Sequence, residues 1–229
     1  MPVELDDKRS GPKIVGVICT QADLRRATRM RNPPDLFELR LDAICGRNEE
    51  MNSSLKDLRA PLIITARHPR EGGLNQLSLQ ERRRLLLRFL PYATYVDVEL
   101  RSAMALAPII KAARAKGIRV ILSFHDFNET PNRRRLDEIA RDAESLRADL
   151  LKVATRTDTP VQLARLLEFF RSAERMRVAA MGIGHLGIIA RRELFRLGSV
   201  LNYGHIGRKT VTGQPSLVAL RRWKFTVSG

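Results

Sequence analysis

Residues 119–156 read RVILSFHDFNETPNRRRLDEIARDAESLRADLLKVATR, and the alternation within them sets the fold. The ends, RVILSFHDF (119–127) and DLLKVATR (149–156), are apolar runs of strand length. Between them, LDEIARDAESLRA (136–148) places apolar residues three and four positions apart with charges between, the period of an amphipathic helix. Strand, helix, strand in that order is a βαβ unit, and a crossover of this length leaves the two strands parallel.

The unit repeats in both directions along the chain. Further strand-length runs are IVGVICT (14–20), LFELRLDAI (36–44), LIITARH (62–68), TYVDVEL (94–100), RVAAMGIG (177–184) and VLNYGHI (200–206). Helical periods fill SLQERRRLLLRFL (78–90), AMALAPIIKAARAKG (103–117) and VQLARLLEFF (161–170), with Ser78 as an N-cap and Gly117 as a stop. Eight strands, each followed by a helix, within 229 residues predict a (β/α)8 TIM barrel of the α/β class, a single domain over 1–229. A doubly wound open sheet is the competing architecture. It favours a glycine-rich phosphate turn after the first strand, where this chain has CTQADLRR (19–26).

Residues 1–12 are polar and read as loosely ordered. No apolar leader opens the chain and no apolar stretch approaches membrane-spanning length, which predicts a cytoplasmic protein with no membrane partner. Cys19 and Cys45 form neither a disulfide framework nor a metal spacing and read as buried free thiols. The formal charge is +16, and only 8 of the 41 basic residues are Lys. The arginines are dispersed over many helices, as at Arg25-Arg26, Arg82 to Arg84 and Arg133 to Arg135. Such a shell attracts polyanions in dilute salt without forming a specific nucleic-acid site.

Barrel strands are covered on both faces and should be almost continuously apolar. Here, Glu38, Arg40 and Asp42 alternate with Leu39 and Leu41, and Asp97 and Glu99 alternate with Val96 and Val98. Side chains two apart share a face, so these charges point together toward a site at the top of the barrel. Lys152 has apolar neighbours on either side in its strand, surroundings that favour a neutral, nucleophilic amine. His125, beside Asp126, ends the preceding strand. Adjacent strands let an imine-forming amine and a proton-carrying imidazole share one cavity.

Taken in order, these segments resemble the type I 3-dehydroquinate dehydratase family over nearly the whole chain. FELRLD (37–42), TARHPREGG (65–73), YVDVEL (95–100), ILSFHDF (121–127), LLKVA (150–154), MGIGHLGIIARRELFRLGS (181–199) and TVTGQ (210–214) are similar to the family's successive motifs. Three departures stand out: Ala190 where the family usually has Ser, Thr210 for the loop Ser and Thr212 for the loop Pro. The resemblance implies dehydration of 3-dehydroquinate with Lys152 as the Schiff-base lysine, His125 as the proton carrier and Glu71 as its orienting partner. It further implies Arg191 on the substrate carboxylate, and Glu38, Arg40, Arg67, Thr210 and Gln214 on the ring hydroxyls. It implies no metal or organic cofactor, and a homodimer. Two other classes remain open from the residues: another Schiff-base barrel lyase of the class I aldolase type, and a basic nucleic-acid-binding protein.

Overall fold

The computed structural model describes residues 11–44, 50–173 and 175–227. Residues 1–10, most of the stretch expected to be loose, and Cys45 lie outside the described residues. All eight expected strands form: β1 (Lys13–Ile18), β2 (Leu36–Arg40), β3 (Leu62–Thr65), β4 (Tyr95–Glu99), β5 (Arg119–Asp126), β6 (Leu150–Arg156), β7 (Val178–Ile183) and β8 (Leu201–His205). The α-helices are α1 (Gln21–Thr28), α2 (Leu41–Ile44), α3 (Glu50–Lys56), α4 (Leu79–Phe89), α5 (Ala107–Ala115), α6 (Arg133–Ser145), α7 (Pro160–Ser172), α8 (Gly187–Arg196) and α9 (Leu217–Val227).

Local chemistry explains several boundaries. Thr20 ends the first apolar run by capping α1 in a box with Asp23, and Ser78 does the same for α4 with Glu81. Gly117 lies just beyond α5 with φ of 68°, the left-handed conformation that closes a helix. One boundary differs from expectation. LFELRLDAI is not strand throughout: after Arg40 the chain turns into α2, so Asp42 is not on a strand face with Glu38 and Arg40. The reason is local pairing. Arg40 closes a bidentate contact on Asp42, with Nε 2.9 Å from Oδ1 and Nη2 2.8 Å from Oδ2, and the Arg67 and Leu74 amides donate to the same carboxylate.

The strands make one parallel sheet in the order β7-β6-β5-β4-β3-β2-β1-β8, so that the first strand pairs with the last. In register, Ser123 lies beside Lys152 and His125 beside Ala154. Inward side chains such as Val15, Leu36, Ile63, Tyr95, Ile121, Leu150 and Leu201 fill the barrel as one cluster. Outward ones such as Phe37, Leu39, Ile64, Val96, Leu122 and Val153 pack under the helices. Each buried aliphatic side chain of this kind contributes about 1.5–3 kcal/mol.

Between β7 and β8 the barrel is nearly closed, without a paired ladder among the described residues. Val200 N donates to Val178 O at 3.1 Å. Higher up, Arg191 bridges the seam, with Nε donating to Gly182 O on β7 at 2.8 Å and Nη1 to Tyr203 O on β8 at 3.4 Å. The glycine lets α8 approach closely enough for this. A Cβ on Gly182 would come within 2.6 Å of the Ala190 Cβ.

Candidate active site

All nine residues assigned to the site line one cavity of about 220 Å³ at the C-terminal ends of the strands: Glu38, Arg40, Arg67, Glu71, His125, Lys152, Arg191, Thr210 and Gln214. This is the end of a parallel barrel where loops and strand termini converge. Met181, Ile183, Phe127 and Val211 give the cavity an apolar side.

Lys152 occupies the floor. Its Nζ lies 3.0 Å from Glu38 Oε1, 3.0 Å from Asp97 Oδ2 and 4.0 Å from the centroid of the Tyr203 ring. The apolar neighbours of Lys152 in sequence do not surround its amine, which is ion-paired. Leu151 and Val153, on either side of Lys152 in sequence, face the helices, whereas its own side chain points inward, where two carboxylates meet it. Arg67 extends the network: Nη2 donates to Asp97 Oδ2 at 3.0 Å, and Nη1 to Ser123 Oγ at 2.6 Å and to Glu99 Oε1 at 3.4 Å. Glu99 also accepts from Arg82, a buried arginine of α4. Lys152, Arg67 and Arg82 thus supply three positive charges against three negative ones on Glu38, Asp97 and Glu99. Desolvation opposes ionisation of Asp97, yet Arg67 and Lys152 hold it well below the usual carboxylate range.

Beside this network, Glu71 sits on the turn after β3, where its carboxylate accepts from the backbone N of His125 and lies against the ring Nδ1 of His125, each at 3.0 Å, while Arg67 Nη1 approaches the same Nδ1 at 3.3 Å. Burial pushes the Glu71 carboxyl up to about 7 despite the pull of Arg67. Burial, followed by the cations Arg67 and Lys152, holds the His125 imidazole well below its usual range, so the ring is neutral at rest. His68, which ends the third apolar run, caps the Glu71 turn by accepting from Arg70 N at 3.0 Å.

Across the cavity, the GIIA segment forms the first turn of α8, with Arg191 just after it. Arg191 is 6% exposed, and among the described residues no carboxylate pairs with it. Burial alone lowers it to about 10. Thr210 donates through both its backbone N (2.8 Å) and its hydroxyl (3.1 Å) to Gln214 Oε1, which leaves the Gln214 amide nitrogen for a ligand. The loop between them turns at Gly213, whose φ is 85°.

Sequence reasoning missed three members of the site. Arg82 carried a signal, since it lies three, four and seven residues before Leu85, Leu86 and Phe89 and so shares their buried face. Ser123 alternates inward with His125 and was legible once the strand was. Tyr203, on β8, carried none beyond its strand position.

Fold and cavity together define a class: parallel eight-stranded barrels of the TIM type, here with a buried lysine, a histidine–carboxylate pair beside it and an arginine without a carboxylate partner opposite, all lining one cavity. The comparisons narrow this, because the profile of the type I 3-dehydroquinase family matches residues 16–226 and the chain belongs to that family. It is 33% identical over 189 residues to the 3-dehydroquinate dehydratase of Pyrococcus abyssi, covering 82% of this chain and 85% of that one. With the enzyme of Thermococcus gammatolerans it shares 32% over 220 residues, covering 94% and 99%. Among solved structures, the 3-dehydroquinate dehydratase of Geobacillus kaustophilus superposes with a TM-score of 0.85 at 26% identity, covering 96% of this chain and 92% of that one.

Proposed function

We propose that the protein dehydrates 3-dehydroquinate to 3-dehydroshikimate through an imine on Lys152. The observation that carries the reading is the position of Lys152 at the floor of a cavity that also presents His125 and the unpaired Arg191. Family membership and the names of the relatives support the substrate.

The geometry supports this reading step by step. Arg191 has the planar fork that receives a carboxylate, and pairing there relieves its buried charge. Arg40, Thr210 and Gln214 line the walls where ring hydroxyls lie, while Arg67 and Glu38, committed to the network, hold Lys152 in place. Once Lys152 passes one proton to a neighbouring carboxylate, its neutral Nζ attacks the ring ketone, and return of that proton with loss of the ketone oxygen as water leaves a protonated iminium, a stronger electron sink than the carbonyl. Neutral His125 takes the proton from the adjacent carbon. Glu71 at 3.0 Å balances the imidazolium that results, and the same proton then goes to the departing hydroxyl. Hydrolysis frees Lys152. The carbon–oxygen bond breaks and no carbon–carbon bond does, which separates this reaction from that of an aldolase.

Borohydride added with 3-dehydroquinate should leave one ligand-sized adduct per chain on the Lys152 peptide. Lys152→Ala should abolish both adduct and turnover, while His125→Ala keeps the amine and loses about 10²–10⁴-fold in kcat. Full activity in Lys152→Ala would end the imine reading. A cytoplasmic homodimer belongs to the same proposal and is checked by sedimentation at assay concentration.

A further inference from the structure

Among the described residues, one buried side-chain polar atom has no hydrogen-bond partner from the protein: the hydroxyl of Tyr203. The residue is 3% exposed, belongs to the cluster that fills the barrel and lines the same cavity as Lys152. Burial, and after it the carboxylates Glu38 and Asp97, holds the phenol well above its usual range, so it remains a neutral donor. A phenylalanine would fill the same space without the cost of a buried unmatched hydroxyl. The hydroxyl therefore calls for a use.

Counting donors at Lys152 supplies one, on the reading that the lysine forms an imine. The resting ammonium has three N–H groups, of which one reaches Glu38 Oε1 and one Asp97 Oδ2, each at 3.0 Å, while the face of the Tyr203 ring lies 4.0 Å away. Condensation with a ketone breaks the C=O bond and forms a C=N bond. Two of the three nitrogen-bound protons leave with the oxygen as water, and the iminium keeps the positive charge with a single N–H. Two carboxylates that each had a lysine donor must then share one. Thr65 Oγ1 still donates to Glu38 Oε1 and Arg67 Nη2 to Asp97 Oδ2, both at 3.0 Å, so the deficit is one hydrogen bond.

We propose that Tyr203 is a reserve donor: its hydroxyl, unpartnered while Lys152 is an ammonium, takes up the hydrogen bond that Glu38 or Asp97 loses when the lysine becomes an iminium. The ring faces a cation in both states and so favours neither. The hydroxyl is matched only in the covalent state, which is the differential stabilisation that speeds a reaction. Tyr203 is thus a positioning residue for the charged groups around the imine, and its stability cost at rest is the counterpart of its use during turnover.

Tyr203→Phe keeps the ring and its shape. The expected result has two opposite signs: a melting temperature equal to or above that of the wild type, together with about a tenfold fall in both the rate of borohydride trapping with 3-dehydroquinate and kcat. Tyr203→Leu, which also loses the ring face, should fall further in both. Trapping by Tyr203→Phe at the wild-type rate would overturn the proposal. So would a melting temperature several degrees lower, since the hydroxyl would then be satisfied already at rest. A wild type that dehydrates 3-dehydroquinate with no reducible adduct removes the imine, and this proposal with it. A wild type that does not dehydrate 3-dehydroquinate refutes the functional reading instead, and trapping with other small keto acids then decides the role of Tyr203.

Discussion

The two sides of the cavity are built on opposite principles. Toward β2 to β6, Glu38, Asp97 and Glu99 are matched by Lys152, Arg67 and Arg82, and every strand is laddered to its neighbours. Toward β7 and β8 the ladder lapses, and the bridging group, Arg191, is a buried cation with no carboxylate partner among the described residues. The matched side is finished without a ligand and fixes the lysine in space. The unmatched side lacks one negative charge, which, on the proposed function, the substrate carboxylate supplies. On that proposal position is encoded by saturation and affinity by deficit.

The comparison breaks most visibly at Asp97. Asp97→Asn leaves Lys152 and Arg67 short of a buried counter-charge and should cost about 3–5 kcal/mol in urea unfolding. A loss below 1 kcal/mol would mean that the network is not tightly matched. Arg191→Met makes the opposite test. Removing an unpaired buried cation should change stability by less than about 1 kcal/mol, because relief of desolvation offsets two lost hydrogen bonds, whereas KM should rise roughly 100-fold. Destabilisation without a change in KM would make Arg191 a staple of the seam alone.

Glu71 sharpens the comparison through pH. Its carboxyl is raised from 4.5 to about 7 in the fold, so its protonated form favours folding fully below pH 4.5 and that contribution is lost as pH rises through 7. Glu71→Gln should therefore gain stability relative to the wild type between pH 4.5 and 7, by up to about 3 kcal/mol, while kcat falls about 100-fold for want of a partner to the imidazolium. Parallel stability curves for the two proteins would refute the burial of that charge. The smallest effect belongs to Arg101, half-exposed with Nε 3.7 Å from Glu71 Oε1. Arg101→Gln should move the acid limb of the kcat/KM profile upward by a few tenths of a pH unit, and moderate salt should erase the difference.

The fold was legible because each strand is an apolar run closed by a recognisable stop, and because eight such runs alternating with helical periods leave few topologies. The pairing of Lys152 with His125 was legible because the βαβ unit that contains both makes their strands neighbours. The site was legible as a roster through family resemblance, and its nine residues do line one cavity. What those residues touch was not. Alternation at Leu41 and Asp42 looked like continuing strand because a bidentate pair two residues apart leaves no periodic trace. The environment of Lys152 was misjudged because sequence neighbours of a strand residue lie on the opposite face, whereas its real neighbours come from β2, β4 and β8, up to 114 positions away. The seam and the unmatched Tyr203 hydroxyl arise from closure of the barrel, a property of all eight strands together.

The order of residues along the chain gives the two-sided cavity a history. Everything in the matched network precedes residue 153, from Glu38 to Lys152, whereas Arg191, Tyr203, Thr210 and Gln214 all follow residue 190. A chain emerging from the ribosome N-terminus first thus releases its buried acids and bases as a self-neutralising set before the lone cation arrives. β8 then docks against β1, the first strand made, with Lys13 beside Leu201 and Val17 beside His205. Arg191 reaches across the seam only with the event that closes the barrel, so the nascent protein holds Lys152 in its network before the opposite wall of the cavity exists.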